Sequence, residues 1–507
     1  MKGTKNPYSG RNFRRALRWF VVGRAAQAVA TLTFTLLAVR VLGAADYGAY
    51  MVLWGLIELA RPLSSLGLLP ALQQFLPEMA LHADRNQLFR FVRWTTVARF
   101  SLLSAFALGF YVFWVPLSGW LGFTAVQQTG TWLVCLMIVT VHGASFTDQM
   151  LESLLEQRFA QAVRALFPLL RLAGLLALLL TGRVTLVNML WVDALVSALC
   201  LALAEWSLLR QLKGLRPDGS KTFTWQEIGT YIWHLSGAQL LNAVANPGTL
   251  RILVSRLLGL EVAGQFAFLQ QLIMQFNRFL PSVLLANLVR PMLIARQVQG
   301  DSDSVATGTG VLWKLNIALV WPGVALMLVA GDPVMSMLSG GRLAGAGLAM
   351  AWMVFGAASI AQSQIVAIAM QVYRYSALVR TTSLAGLAAP LFVWAASHLG
   401  LAGTCAGFAL ALWLRGAIGL TLLQRCERRI ALDLRGAFRL LSALVAATAA
   451  AWVAAHWLQP LVAVAVLLVV YLGALLVAKP LTLSEFNLLE RALGARVGGL
   501  RFMTSRN

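Results

Sequence analysis

The chain has 507 residues, 59% of them hydrophobic and only 12% charged, with a formal net charge of +22 and a mean hydropathy of +0.74. A soluble protein carries about 25% charged residues, and here apolar runs long enough to cross a bilayer recur from end to end, so the fold class is an all-α polytopic membrane protein. A strand-based barrel is excluded because the runs are continuous instead of alternating, and the positive charge is explained by loop-confined Lys and Arg, so no nucleic-acid partner is expected.

Residues 1–18 form a basic N-terminus with Lys2, Lys5, Arg11, Arg14, Arg15 and Arg18. The apolar stretch that follows is as long as a full span and lacks a convincing small-residue cleavage site, so it is read as a retained first helix. Hydropathy gives fourteen spans, at 19–40, 47–71, 95–117, 130–151, 163–181, 184–208, 228–254, 262–289, 309–330, 343–370, 376–398, 401–423, 438–457 and 460–479. Grouped by length and loops, they give an N-terminal bundle over 19–209, a cytoplasmic linker over 210–227, a second bundle over 228–424, two further spans within 425–480 and a basic tail over 481–507.

In the first span Arg24, Gln27, Thr31 and Thr35 recur at helical spacing. The turn after it reads Arg40-Val41-Leu42-Gly43, then Gly48 and Tyr50. The second span carries Trp54, Glu58, Arg61 and Ser65 on one stripe, and Glu58 is placed to neutralise Arg61 at i, i+3. Arg99 of the third span lies close enough to the cytoplasmic end to snorkel. The fourth and sixth spans contribute the acids Asp148, Asp193 and Glu205.

The second bundle repeats part of this. In the seventh span Gln239, Asn242, Asn246, Thr249 and Arg251 are the polar positions, and Asn246-Pro247-Gly248 should break or kink the helix. The turn after it, Arg256-Leu257-Leu258-Gly259 with Gly264 and Phe266, copies the first turn at a constant shift of 216. In the eighth span Gln271, Gln275, Arg278 and Ser282 copy the second-span stripe at a shift of 217. The tail from Thr482 reads as an interfacial helix opened by a Thr482/Glu485 capping box.

Lys and Arg alternate between loops, leaving only Arg40, Arg183, Arg256 and Arg342 on one side. That asymmetry places both termini in the cytoplasm and supports an even number of spans. The four cysteines, Cys135, Cys200, Cys405 and Cys426, form no metal or disulfide pattern, so neither a metal nor another cofactor is expected. A polar stripe facing lipid is unstable, so Arg24, Arg61, Arg251, Arg278, Gln27, Gln275, Asn242 and Asn246 are the candidate substrate-binding residues of a water-filled cavity. Guanidinium suits phosphate through paired donors. Glu58, Asp148 and Asp193 are the candidate sites for a coupling proton or sodium ion.

The run from Val39 to Tyr50, followed by Leu66-Gly67-Leu68 and Gln74-Phe75-Leu76-Pro77-Glu78, resembles the polysaccharide transporter family, the Wzx-type flippases of the multidrug/oligosaccharidyl-lipid/polysaccharide exporter superfamily. The likeness covers about residues 15–300 and is mostly hydropathic beyond. It implies two pseudo-symmetric six-helix bundles around a central cavity, two further helices, and a non-enzymatic flippase in the bacterial inner membrane. The implied substrate is a polyprenyl-pyrophosphate-linked oligosaccharide for exopolysaccharide, capsule or O-antigen, with membrane lipid, a polysaccharide polymerase and export machinery as partners. Related lipid-linked peptidoglycan precursor flippases have a cationic cavity lined by the first, second and eighth spans, where Arg24, Arg61 and Arg278 fall here. Two other readings stand beside it: a cation-coupled drug antiporter of the same superfamily, and a membrane glycosyltransferase or polymerase. The short, acid-poor outer loops disfavour the last.

Overall fold

A computed structural model describes residues 10–277 and 301–482, apart from 126, 155, 216, 218, 374, 427–429 and 458, together with 280, 293, 297, 485, 504 and 505. The side chains of 10–22, 24, 157, 158, 234, 235, 238, 242, 304, 376, 380, 461, 481, 504 and 505 lie outside this description. The chain divides into two compact units, Met1–Ala267 and Phe268–Asn507.

The first unit runs α1 (Gly10–Val41), α2 (Ala44–Ser65), α3 (Leu68–His82), α4 (Arg85–Val112), α5 (Trp114–Leu121), α6 (Thr131–Ser153), α7 (Gln157–Leu180), α8 (Leu186–Gly214), α9 (Trp225–Val244) and the start of α10 (Pro247–Asn277). The second holds the rest of α10, then α11 (Ser302–Ser339), α12 (Gly347–Val372), α13 (Ser376–Leu384), α14 (Ala388–Ala396), α15 (Gly400–Gln424), α16 (Leu434–Trp457) and α17 (Pro460–Ala478). Among the described residues, nine helical stretches are individually long and apolar enough to cross a membrane. The α2–α3 pair gives a tenth, and Ala25–Val41 and Val462–Ala478 are shorter apolar helices. The chain is a multi-pass helical membrane protein.

Three helix breaks shape the first unit. The expected second span, 47–71, instead stops at Ser65, and the chain turns by 58° into α3. Leu66 and Gly67 both adopt positive φ there, and a side chain on Gly67 would lie 2.4 Å from the Ile232 carbonyl oxygen of α9. The break thus brings backbone against backbone, which only glycine permits. The seventh span breaks at Ala245–Asn246, as Asn246-Pro247-Gly248 requires. Inside α10, Gly259 at φ 85° and ψ 171° separates the end of the seventh span from the start of the eighth.

The duplicated glycines meet. A Cβ on Gly264 would lie 2.8 Å from the Cα of Gly48, and one on Gly48 would lie 1.9 Å from the Leu260 carbonyl oxygen. One helical stretch further on, a Cβ on Gly248 would lie 2.4 Å from the Gly55 oxygen. So α2 runs against α10 on a small-residue seam, where dispersion and close backbone approach replace large side chains.

Loop contacts divide the unit into two ends. At one end Gln127 Nε2 donates to Asp46 Oδ1 (3.0 Å) and Arg256 lies over the Trp120 ring. At the other, the Lys221 amide donates to His82 O (2.8 Å), Lys221 pairs with Glu78, and Gln87 bonds the Phe223 backbone. An apolar cluster of Leu72, Phe75, Met79, Leu88, Phe91, Met150, Leu208 and Ile228 packs under that second end.

In the second unit, Lys314 of α11 is 2% exposed and binds Asp433, Glu485 Oε2 (2.7 Å) and the Pro480 carbonyl (3.0 Å). The Thr482/Glu485 capping box is present: Thr482 N donates to Glu485 Oε2 (2.8 Å) and Glu485 N to Thr482 Oγ1 (3.3 Å). The expected amphipathic helix beyond it lies outside the described residues. Leu481–Thr482 instead pairs in parallel with Thr504–Ser505.

Candidate functional site

The polar groups of the first unit separate into three clusters. In the first, Asp193 of α8 is 1% exposed and fully engaged. Its Oδ1 accepts from Arg171 Nε (2.7 Å), and its Oδ2 from Arg171 Nη2 (3.0 Å), Tyr50 OH (2.6 Å) and Trp54 Nε1 (3.0 Å). The Arg171 guanidinium sits 4.1 Å from the Phe34 ring centroid and 4.4 Å from that of Trp54. A buried pair holds when both charges are saturated with hydrogen bonds and the cation is packed on aromatic faces.

The second cluster is Arg164 of α7, which pairs with Asp148 of α6 and bidentately with Glu152. Asp148 is 3% exposed, and its Oδ1 has no hydrogen-bond partner. It lines a cavity of about 220 Å³ with Gln27, Ser145, Arg164 and Ser197. Spans one, four, five and six therefore enclose a polar chamber. Asp148 was a candidate from sequence, whereas Arg164, at the first turn of the expected fifth span, was not.

The third cluster surrounds Arg61. The Arg61 side chain is exposed, with no hydrogen-bond or ion-pair partner among the described residues. The charges acting on it are Arg164, which repels it, and Glu58, which attracts it. The expected Glu58–Arg61 pairing is not what forms: Glu58 Oε1 accepts from Arg251 Nη1 (3.1 Å) across the glycine seam. Arg251 is fully buried and its Glu58 partner one-third exposed, so Arg251 braces α10 against α2. Arg99 does not snorkel. It is 4% exposed and its Nη1 donates to Ser64 Oγ (2.8 Å) and the Arg61 carbonyl (3.4 Å), beneath Arg61. A second cation thus supports the turn of α2 that carries the first.

The other candidates divide as follows. Asn246 Oδ1 accepts from the Gly248 amide (2.8 Å), capping the helix restart after the break. Gln275 is 5% exposed in the second unit. Gln27 faces the Asp148 chamber, while Thr31 and Thr35 bond back to their own helix at Gln27 O and Thr31 O. Trp54 and Ser65, on the Arg61 stripe by spacing, turn to the Asp193 cluster and to a buried position. The side chains of Arg24 and Asn242 and all of Arg278 lie outside the described residues. Two pairings across adjacent spans, Arg171–Asp193 and Arg164–Asp148, were missed. The only sequence signal for them is opposite charge at matching depth in neighbouring helices.

Solved structures share this fold over most of the chain. A lipid II flippase MurJ in an inward closed conformation superposes with a TM-score of 0.70 at 9% identity, covering 94% of this chain and 99% of that one. The chain has the fold of the MOP-superfamily transporters. An inward-facing multidrug resistance MATE family transporter of the MOP superfamily matches with a TM-score of 0.61 at 13% identity, over 78% of this chain and 93% of that one. The MATE multidrug transporter DinF-BH matches at 0.58 and 14%, over 84% and 98%. No protein-family model matches the chain, and no curated protein matches it.

Proposed function

We propose that this MOP-fold protein is a flippase of the Wzx type. It carries a polyprenyl-pyrophosphate-linked oligosaccharide from the cytoplasmic to the periplasmic leaflet of the bacterial inner membrane, for exopolysaccharide, capsule or O-antigen synthesis. The observation that carries the reading is the charge state of the Arg61 region. Glu58, Asp148, Glu152 and Asp193 are each held by an arginine, and Glu205 accepts from Thr147 Oγ1. Arg61 remains exposed without a carboxylate of its own, above Arg99. Surplus guanidinium within apolar helices suits a pyrophosphate, which accepts paired charge-assisted bonds. The lipid tail stays in the bilayer and the sugar in water while the two bundles alternate access.

Replacing Arg61 by Ala should abolish polymer export and let lipid-linked oligosaccharide accumulate on the cytoplasmic leaflet, with the protein still folded in the membrane. The same holds for Arg278→Ala. Normal polymer from cells carrying either variant would remove that residue from the site.

A second reading, a cation-coupled antiporter, is favoured by the unpartnered Asp148 oxygen in its chamber. It expects Asp148→Asn to stop proton- or sodium-driven dye efflux from vesicles, whereas the flippase reading expects no dye efflux from the parent protein.

A further inference from the structure

The second unit contains a cavity, with an arginine in its largely apolar wall, that the reading above leaves unused. It has a volume of about 200 Å³ and lies among α12, α13 and α15. Most of its wall is apolar, formed by residues such as Ile360, Val366, Met370 and Leu412. Its polar residues are Ser363, Gln364, Thr382 and Arg415, and no carboxylate lines it. Arg415 is half-buried, and it has no hydrogen-bond, ion-pair or ring partner among the described residues. At 1.5 Å per residue it stands about 14 Å along the axis from Gln424, where α15 ends, too deep for a surface charge.

Two hydroxyls converge beside it. A Cβ on Gly416 would lie 2.8 Å from Ser363 Oγ and 3.2 Å from Ser359 Oγ, so both hydroxyls press on the bare backbone next to Arg415. Ser359 is 1% exposed and its Oγ has no partner. Thr382, by contrast, is already satisfied by the Val379 carbonyl. An unpaired guanidinium in a cavity lined by no carboxylate is a donor group lacking an acceptor.

We propose that this cavity binds a phosphate group. Arg415 grips it through two parallel N–H donors, and Ser363 supplies an O–H donor. The apolar remainder of the wall accommodates the hydrocarbon to which a membrane phosphate is attached. Two sources share this chemistry. One is the pyrophosphate of a lipid-linked substrate, which would make the cavity a second holding position and rests on the flippase reading. The other is the headgroup of an anionic bilayer lipid, which does not.

The test is native mass spectrometry of the full-length protein in detergent, titrated separately with farnesyl pyrophosphate, phosphatidylglycerol and zwitterionic phosphatidylcholine. With Arg61→Ala as the background, which removes the other proposed pyrophosphate site, the protein should retain one anionic phosphate-lipid adduct and no phosphatidylcholine. Arg415→Gln should weaken that adduct about tenfold or more, the value of one charge-assisted bond. Arg415→Lys keeps the charge, and so the fold, but loses the paired donors, and should weaken it as well. Preference for farnesyl pyrophosphate assigns the cavity to substrate, and preference for phosphatidylglycerol assigns it to bilayer lipid. Binding undiminished by either Arg415 substitution, or no adduct before that substitution, overturns the site. Neither outcome touches the flippase reading, because the Arg61 site is already absent from the titrated protein and is tested separately by polymer export.

Discussion

At the scale of single residues, the arginines inside the spans do different work, and their partners decide which. Arg171 and Asp193 neutralise each other in a sealed aromatic box, with Asp193 1% exposed. Removing one member of such a pair strands the other charge, at a cost of about 3–5 kcal/mol, whereas removing both is far milder. Arg171→Leu should therefore lower the melting temperature of the purified protein sharply, and the double variant Arg171→Leu/Asp193→Asn should regain most of the loss. A single variant as stable as the double would mean that the box is open to water. Sequence spacing placed Trp54, Glu58, Arg61 and Ser65 on one stripe, yet only Arg61 is exposed and unpartnered. Helical periodicity gives the face of a residue but not the neighbour that claims it, and three of those four side chains are taken up by packing or partners from α8 and α10.

At the scale of elements, the repeated R-x-L-G-x4-G turns were legible as a duplication, and the structure adds that their later glycines touch. The two copies are not equivalent in backbone. Gly43 has φ −58°, open to any residue, whereas Gly259 at φ 85° needs glycine. Gly48→Ala would drive a methyl into the Leu260 carbonyl. Such overpacking costs about 1–3 kcal/mol or more, so this variant should unfold at lower temperature than Gly43→Ala, which meets nothing within 4 Å. The Lys314 joint was not legible, because its partners lie 119 and 171 residues away. Burial works against the Asp433 carboxylate, but the Gly436 amide and Lys314 outweigh it and hold its pKa below the ordinary value. A depressed carboxyl pKa means stabilisation that is present above the unfolded value and lost as pH falls through the folded one. Acidification below the usual aspartate range should accordingly loosen this joint, read as faster hydrogen exchange around residues 433–436, and Lys314→Met should weaken that dependence while the Gly436 amide keeps part of it.

At the scale of the whole molecule, the charge alternation agrees with the loop contacts inside each unit. In the first unit the loop after the second span meets the linker after the sixth, through His82 and Lys221. The turns after the first and seventh spans meet the connection between the third and fourth, through Asp46–Gln127 and Arg256–Trp120. In the second unit the Ala431 amide donates to Ala306 O, joining the connections after the eighth and twelfth spans, and Lys314 ties the tail to the same side. Within each unit, these contacts bring together loops separated by an even number of the expected spans. What contacts cannot supply is the sign, which side is cytoplasmic; that comes from the basic loops. With the four native cysteines replaced by serine, Ala45→Cys in intact cells should react with an impermeant maleimide. Thr222→Cys, at the opposite end of the first unit and exposed like Ala45, should react only after the inner membrane is opened. The reverse pattern would invert the protein in the membrane and place the basic linker outside. It would also turn the proposed flipping direction around, since the same cavity would then first meet substrate from the periplasmic side.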